Sequence, residues 1–175
     1  MNWHQFLEEW QNEAEAQGFQ VDVLLEKESY PILACTKGSP DLPSIYLSSG
    51  IHGDEPSGPQ ALLGLLKEGF FDARARWMIC PILNPTGLER GKRENSEGID
   101  LNRDYLMCQA PEVCAHIKWL EAQPRPVLLP SPVSSPHPKL PTTHPASTSV
   151  ACLSSTTDIC DTSHPPTPTH TRTHT

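Results

Sequence analysis

The chain changes character at Gln123, and that break limits what it can fold into. The last 52 residues hold 11 Pro, 11 Thr, 8 Ser and 5 of the 8 His, with no Gly, Phe, Tyr, Trp, Met, Asn, Gln or Glu. Such a stretch buries too little apolar surface to offset the entropy of ordering it. A folded domain is therefore expected over residues 1–123, and a tail over residues 124–175 that is disordered or non-homologous. Around Arg172, His and Thr alternate through residues 169–175, as a CA dinucleotide repeat encodes, which suggests a frameshift or gene-model origin for the tail.

Charge and cysteines set the class. The formal net charge is -8. An acidic chain of this kind argues against nucleic acid or an anionic membrane as partner, since either would call for a basic surface. No basic-then-apolar leader opens the chain, and no apolar run reaches the roughly 18 residues that a membrane span needs. A cytoplasmic location is the expectation. The cysteines at positions 35, 80, 108, 114, 152 and 160 form no C-x-x-C pair. All six are expected as reduced thiols, Cys35 and Cys80 inside strands.

Periodicity supplies the elements. Trp3, Phe6, Leu7, Trp10 and Ala14 recur at helical spacing, and Gly18 is placed to stop that helix. Phe19, Val21, Val23 and Leu25 alternate like a half-buried strand, paired across a turn at Glu28-Ser29 with a strand over 31–36. Residues 45–48 and 77–83 read as buried strands, and 37–43 as a loop. Between the last two strands Pro56 suits a helix start, with Ala61, Leu62, Leu65 and Leu66 as its buried stripe. Asn84-Pro85-Thr86-Gly87 reads as a turn, 90–98 as a polar loop, and 111–122 as a last helix marked by Val113, Ile117 and Leu120. His116 within it is expected at the surface or in packing. Strands alternating with helices point to an α/β layer fold.

Three segments carry candidate chemistry, each just after an apolar strand or in the polar stretch that follows one. In an open α/β sheet that edge is where ligands collect. In His52-Gly53-Asp54-Glu55 an imidazole and a carboxylate three residues apart can point at one ion, and zinc accepts both at about 2.0–2.2 Å. Gly50 and Gly53 permit the tight bend this needs. Arg90-Gly91-Lys92-Arg93 is a cluster of cations or a solvated face. Asp100-Leu101-Asn102-Arg103 offers a fork of donors to a carboxylate, or else a surface ion pair of Arg103 with Asp100 or Asp104.

Taken together and in order, His52-Gly53-Asp54-Glu55, Asn84-Pro85-Thr86-Gly87, Arg93 and Asp100-Leu101-Asn102-Arg103 resemble the zinc carboxypeptidase family. The likeness runs over residues 44–122 and shades into the succinylglutamate desuccinylase/aspartoacylase group. It implies an α/β sandwich around a mixed, mostly parallel sheet, truncated here. It also implies one zinc ion with His52 and Glu55 as ligands. Arg93 would polarise the scissile carbonyl, with Arg90 as rival, and Asn102 and Arg103 would hold the substrate's carboxylate. The partner implied is a peptide or N-acyl amino acid with a free carboxylate. The reaction implied is hydrolysis of a C-terminal peptide or amide bond, with N-acyl amino acid deacylation and a non-enzymatic binding module as alternatives.

The family also needs a third ligand histidine and a general-base glutamate further on. No glutamate follows Glu121 and no tyrosine follows Tyr105. Histidines 137, 144, 164, 170 and 174 follow no predicted strand. The 175-residue chain is therefore expected to be inactive as it stands. With later strands missing, an open sheet edge, poor solubility and partial folding are expected.

Overall fold

The computed structural model describes residues 1–124 and the backbone of residues 150–152. Helix α1 (Trp3–Ala16) starts where the Asn2 side chain accepts from the Gln5 N–H at 3.1 Å. It ends where Gly18, at φ 81°, lets Phe19 N–H reach back to the Ala14 carbonyl at 2.9 Å. That is a glycine stop of the left-handed type. Strands β1 (Gln20–Lys27) and β2 (Tyr30–Lys37) form a hairpin closed by Glu28 and Ser29, both at positive φ. A register shift between Val23 and Leu25 breaks the simple alternation of β1.

Strands β3 (Ser44–Ser48) and β4 (Arg76–Cys80) are parallel, joined through helix α2 (Ser57–Lys67). The buried face of α2 is Pro59, Leu62, Leu63 and Leu66, not the expected stripe, because Ala61 is exposed. Two helical stripes were available in this leucine-rich segment, and the sheet takes the one that begins at Pro59. Helices α3 (Pro85–Arg90), α4 (Leu101–Asp104) and α5 (Pro111–Ala122) follow. The first of these replaces the turn expected at Asn84-Pro85-Thr86-Gly87. Asn84 caps it and Pro85 fills its first turn, where proline's missing N–H costs nothing.

The sheet order is β1-β2-β4-β3-β5, with antiparallel pairs β1/β2 and β2/β4 and parallel pairs β4/β3 and β3/β5. Alternation along β2 and β4 sends Leu33, Cys35, Trp77 and Ile79 to the face under α1 and α2. Ile32, Ala34, Met78 and Cys80 go to the face under α5. Both faces of the central strands are covered, which makes a three-layer sandwich. An open sheet edge is expected where later strands are missing, but β3 is paired on its outer side: β5 (Val150–Cys152) lies parallel to Tyr46–Ser48. The rest of the expected tail lies outside the described residues. No described helix is long and apolar enough to cross a membrane.

Two cysteine expectations divide. Cys35 and Cys80 are free and buried in β2 and β4. Burial pushes the Cys35 thiol up to about 12 and Cys80 well above its ordinary range. Cys108 and Cys114 are instead joined as a disulfide, contrary to the reduced state expected. The cause is local: Asp104 accepts the Gln109 and Ala110 N–H groups and turns the chain back, bringing the two Cα atoms to 5.4 Å.

His116 is a core residue. Its ring bridges two phenols, Tyr46 at 2.6 Å from Nε2 and Tyr105 at 2.7 Å from Nδ1. Burial pushes its pKa from 6.5 down to about 4. The unfolded chain therefore takes up this proton first. Stability is full above pH 6.5 and drains as pH falls from 6.5 towards 4. At about 1.4 kcal/mol per unit the loss is on the order of 3 kcal/mol. The variant His116→Gln should lose that slope, read as urea midpoints at pH 7, 5.5 and 4.5. An unchanged slope would assign the acid sensitivity elsewhere.

Candidate active site

The site forms where β3 and β4 end. Past β3, Ser49 N–H donates to Cys80 O and Leu83 N–H to Ser49 O, both at 3.1 Å, so the two strand ends remain tied as they diverge. Gly50, at φ 60°, turns the chain beneath Pro59 and Leu88. Gly53 has another reason to be glycine. A Cβ there would lie 1.9 Å from the Gly87 carbonyl carbon and 2.3 Å from Lys92 O. The His52 turn, the start of α3 and the loop before Arg93 meet at this point, backbone against backbone. Buried Asn84 bonds them together: Oδ1 accepts from Gly87 N–H, and Nδ2 donates to Ile51 O and Arg93 O.

His52 is buried, with Nδ1 3.2 Å from Glu55 Oε1. That is close to the separation of two donors on one tetrahedral ion at about 2.0–2.1 Å. Its other nitrogen, Nε2, is buried without a hydrogen-bond partner and faces Asp100 Oδ1 at 3.5 Å. The orphaned atom thus points to a carboxylate behind the ring, while Nδ1 and Oε1 share the front. These two donors suit a metal ion. Among the described residues no group of three His, Cys, Asp or Glu is placed to hold one. Histidines 137, 144, 164, 170 and 174 lie outside the described residues.

Asp100, expected only as a motif member and as an ion-pair partner of Arg103, is the hub of the site. Its Oδ2 accepts from Arg93 Nε at 3.1 Å and lies 3.4 Å from Arg103 Nε. Its Oδ1 accepts the Asn102 N–H at 3.1 Å and so caps α4. Burial alone would raise the Asp100 carboxyl, but the hydrogen bond and charge of Arg93 outweigh it and hold the carboxyl below its usual range. The same bond holds the Arg93 guanidinium above its ordinary value. Asn102 and Arg103 are exposed beside it, and the plain reading of Arg103 as an ion-pair partner of Asp100 is realised as well. Arg90 turns away to Glu28 at 2.8 Å, on the β1–β2 hairpin.

The polar stretch before Asp100 is built rather than loose. Asn95 Oδ1 accepts from Glu97 and Ile99 N–H, and its Nδ2 donates to the buried Glu112 of α5 at 3.1 Å. That knot sets the positions of Arg93 and Asp100 on either side of it.

This geometry agrees with what the chain is similar to. The succinylglutamate desuccinylase/aspartoacylase catalytic domain matches residues 41–110. "Carboxypeptidase 2" of Trichophyton tonsurans is 32% identical over 92 residues, which is 44% of this chain and 17% of that protein. "Carboxypeptidase SOL1" of Arabidopsis thaliana is 30% identical over 99 residues, 45% of this chain and 20% of that one. A candidate metallopeptidase from Shewanella denitrificans superposes with a TM-score of 0.62 at 28% identity, covering 69% of this chain and 47% of its own. Over this part of its length the chain resembles the metallocarboxypeptidase family. It matches an N-terminal portion of that family and spans about a fifth of the length of the curated relatives. A Burkholderia cenocepacia metallo-carboxypeptidase, at 21% identity and a TM-score of 0.61, shares the fold of this domain.

Proposed function

We propose that this domain supplies the first half of a zinc carboxypeptidase-like active site, acting on a peptide or amide bond beside a free carboxylate. The observation that carries the reading is the paired facing of His52: Nδ1 beside Glu55, Nε2 towards Asp100. His52 and Glu55 would hold the ion, and zinc there would supply Lewis-acid polarisation and a more acidic water. Asp100 favours the tautomer that keeps the proton on Nε2 and leaves Nδ1 with its lone pair. Arg93, its Nε committed to Asp100, has its terminal amino groups left to stabilise negative charge developing on a carbonyl oxygen. Arg103 and Asn102, exposed beyond it, would receive the substrate's carboxylate.

Deacylation of an N-acyl amino acid is the second reading, favoured by the family match over residues 41–110. It uses the same pair and the same carboxylate grip on a smaller substrate. We infer that turnover by the 175-residue chain is low, because two protein ligands hold zinc weakly and no general base is assigned. Zinc analysis after dialysis, on the chain and on His52→Ala, tests the reading. Bound zinc that disappears in the variant is expected. Equal zinc in both would remove His52 from the site and with it the proposal. A kcat of about 1 s⁻¹ or more on either substrate class would overturn the inference of low turnover, since that is the ordinary enzymatic range.

A further inference from the structure

At the opposite end of the parallel strands from His52, buried donors lack a matching anion. Arg76, the first residue of β4, is only 6% exposed. Its Nη2 donates to Gln123 Oε1 at 2.8 Å and its Nη1 lies 3.7 Å from Met78 Sδ, both neutral acceptors. Ser44 is its partner in the β3/β4 register, and the Ser44 hydroxyl is buried with no hydrogen-bond partner. The indole N–H of Trp119, on a side chain 8% exposed, is likewise unmatched.

These groups share one face of the sheet. Ser44 and Tyr46 of β3 stand beside Arg76 and Met78 of β4, and α5 closes over them with Trp119 against Tyr46. Gln123 links the layers, its amide donating to Trp119 O at 3.0 Å while its oxygen receives Arg76. A guanidinium stays charged at any working pH, and a buried charge with only neutral acceptors is costly. A carboxylate would supply what is missing: negative charge, a planar match to the guanidinium fork, and lone pairs to spare for a hydroxyl and an indole.

We propose that Arg76, Ser44 and Trp119 form a seat for a carboxylate, separate from the candidate active site and independent of any metal there. The probe is acetate, compared with chloride at equal ionic strength and pH 7, in thermal unfolding of the 175-residue chain. A saturable rise is expected, about 3–5 °C at an acetate concentration roughly five times its dissociation constant. Arg76→Met should abolish it. If that variant does not fold, Ser44→Ala and Trp119→Phe serve instead. Each deletes an unmatched donor, so the acetate increment should shrink; the midpoint in chloride should hold or rise in Ser44→Ala, and fall in Trp119→Phe only by the packing lost from the indole. Arg103→Gln, at the proposed substrate grip, should keep the full increment. Equal midpoints in acetate and chloride would overturn the proposal. So would an increment that survives the Ser44→Ala, Trp119→Phe double variant, or one lost in Arg103→Gln.

Discussion

Gly53→Ala should unfold or badly loosen the domain, with a loss of about 3 kcal/mol or more and a fall in the unfolding midpoint of roughly 10 °C or more. The added methyl has nowhere to go. Its three nearest neighbours, at 1.9, 2.3 and 2.3 Å, are the carbonyl carbon and oxygen of Gly87 and the oxygen of Lys92. All are backbone, so no side-chain rotation relieves the clash. Relief requires the His52 turn to part from α3 and from the loop that carries Arg93. That movement lengthens the Gly53 N–H to Arg93 O bond, already 3.4 Å, and strains the two bonds from Asn84 Nδ2. Gly64→Ala is the control. Gly64 lies exposed in α2 with nothing within 4 Å of the added carbon. Alanine there should be neutral or stabilising by about 0.5–1 kcal/mol through helix propensity. Two glycine-to-alanine changes of opposite sign, measured by thermal unfolding, would place the effect in the close approach. A loss at Gly53 of less than 1 kcal/mol would mean that the three segments part easily.

The Gly53 case also shows what a sequence conceals. Glycine in a bend reads as conformational freedom, and Gly50, at positive φ, fits that reading. Gly53 has no such φ; its requirement is set by Gly87 and Lys92, more than 30 positions on, which no local pattern reports. Asp100 was hidden in the same way. Its N-cap role is local, but its meeting with His52 joins the ends of two separate segments. Local grammar, by contrast, was legible. The α1 stripe from Trp3 to Ala14, the hairpin turn and the span of α5 follow from periodicity and caps. Asn84 is visible as punctuation, but Asn before Pro can open a helix as well as a turn, and here packing decides for the helix. In α5 the register placed His116 inward because Tyr46 and Tyr105 satisfy both ring nitrogens there. A polar residue on the inner stripe is unreadable until its partners are known.

Asp100→Asn should weaken zinc binding by roughly 10–100-fold while leaving the fold nearly intact. The substitution isolates charge from shape. Asparagine caps a helix about as well as aspartate, so the bond from Asn102 N–H and the start of α4 should persist. What disappears is the negative charge facing His52 Nε2 and shared by Arg93 and Arg103. The oxygen that caps α4 still faces Nε2 but as a neutral, weaker acceptor, so a proton on Nε2 is less favoured and the population of rings offering a lone pair at Nδ1 falls. Two cations are also released close to the ion's position, which adds repulsion. Asp100→Ala would lose the cap as well, about 1 kcal/mol of stability beyond Asp100→Asn. Zinc affinity is read by competition with a chromophoric chelator, and stability by urea unfolding of the metal-free chain. A parallel Arg93→Met variant separates the two contributions: it removes a repelling cation but keeps the carboxylate behind His52, so its zinc affinity should hold or rise. If Asp100→Asn binds zinc within threefold of the unmodified chain, Asp100 is a helix cap and arginine anchor only, and His52 presents Nδ1 without its help.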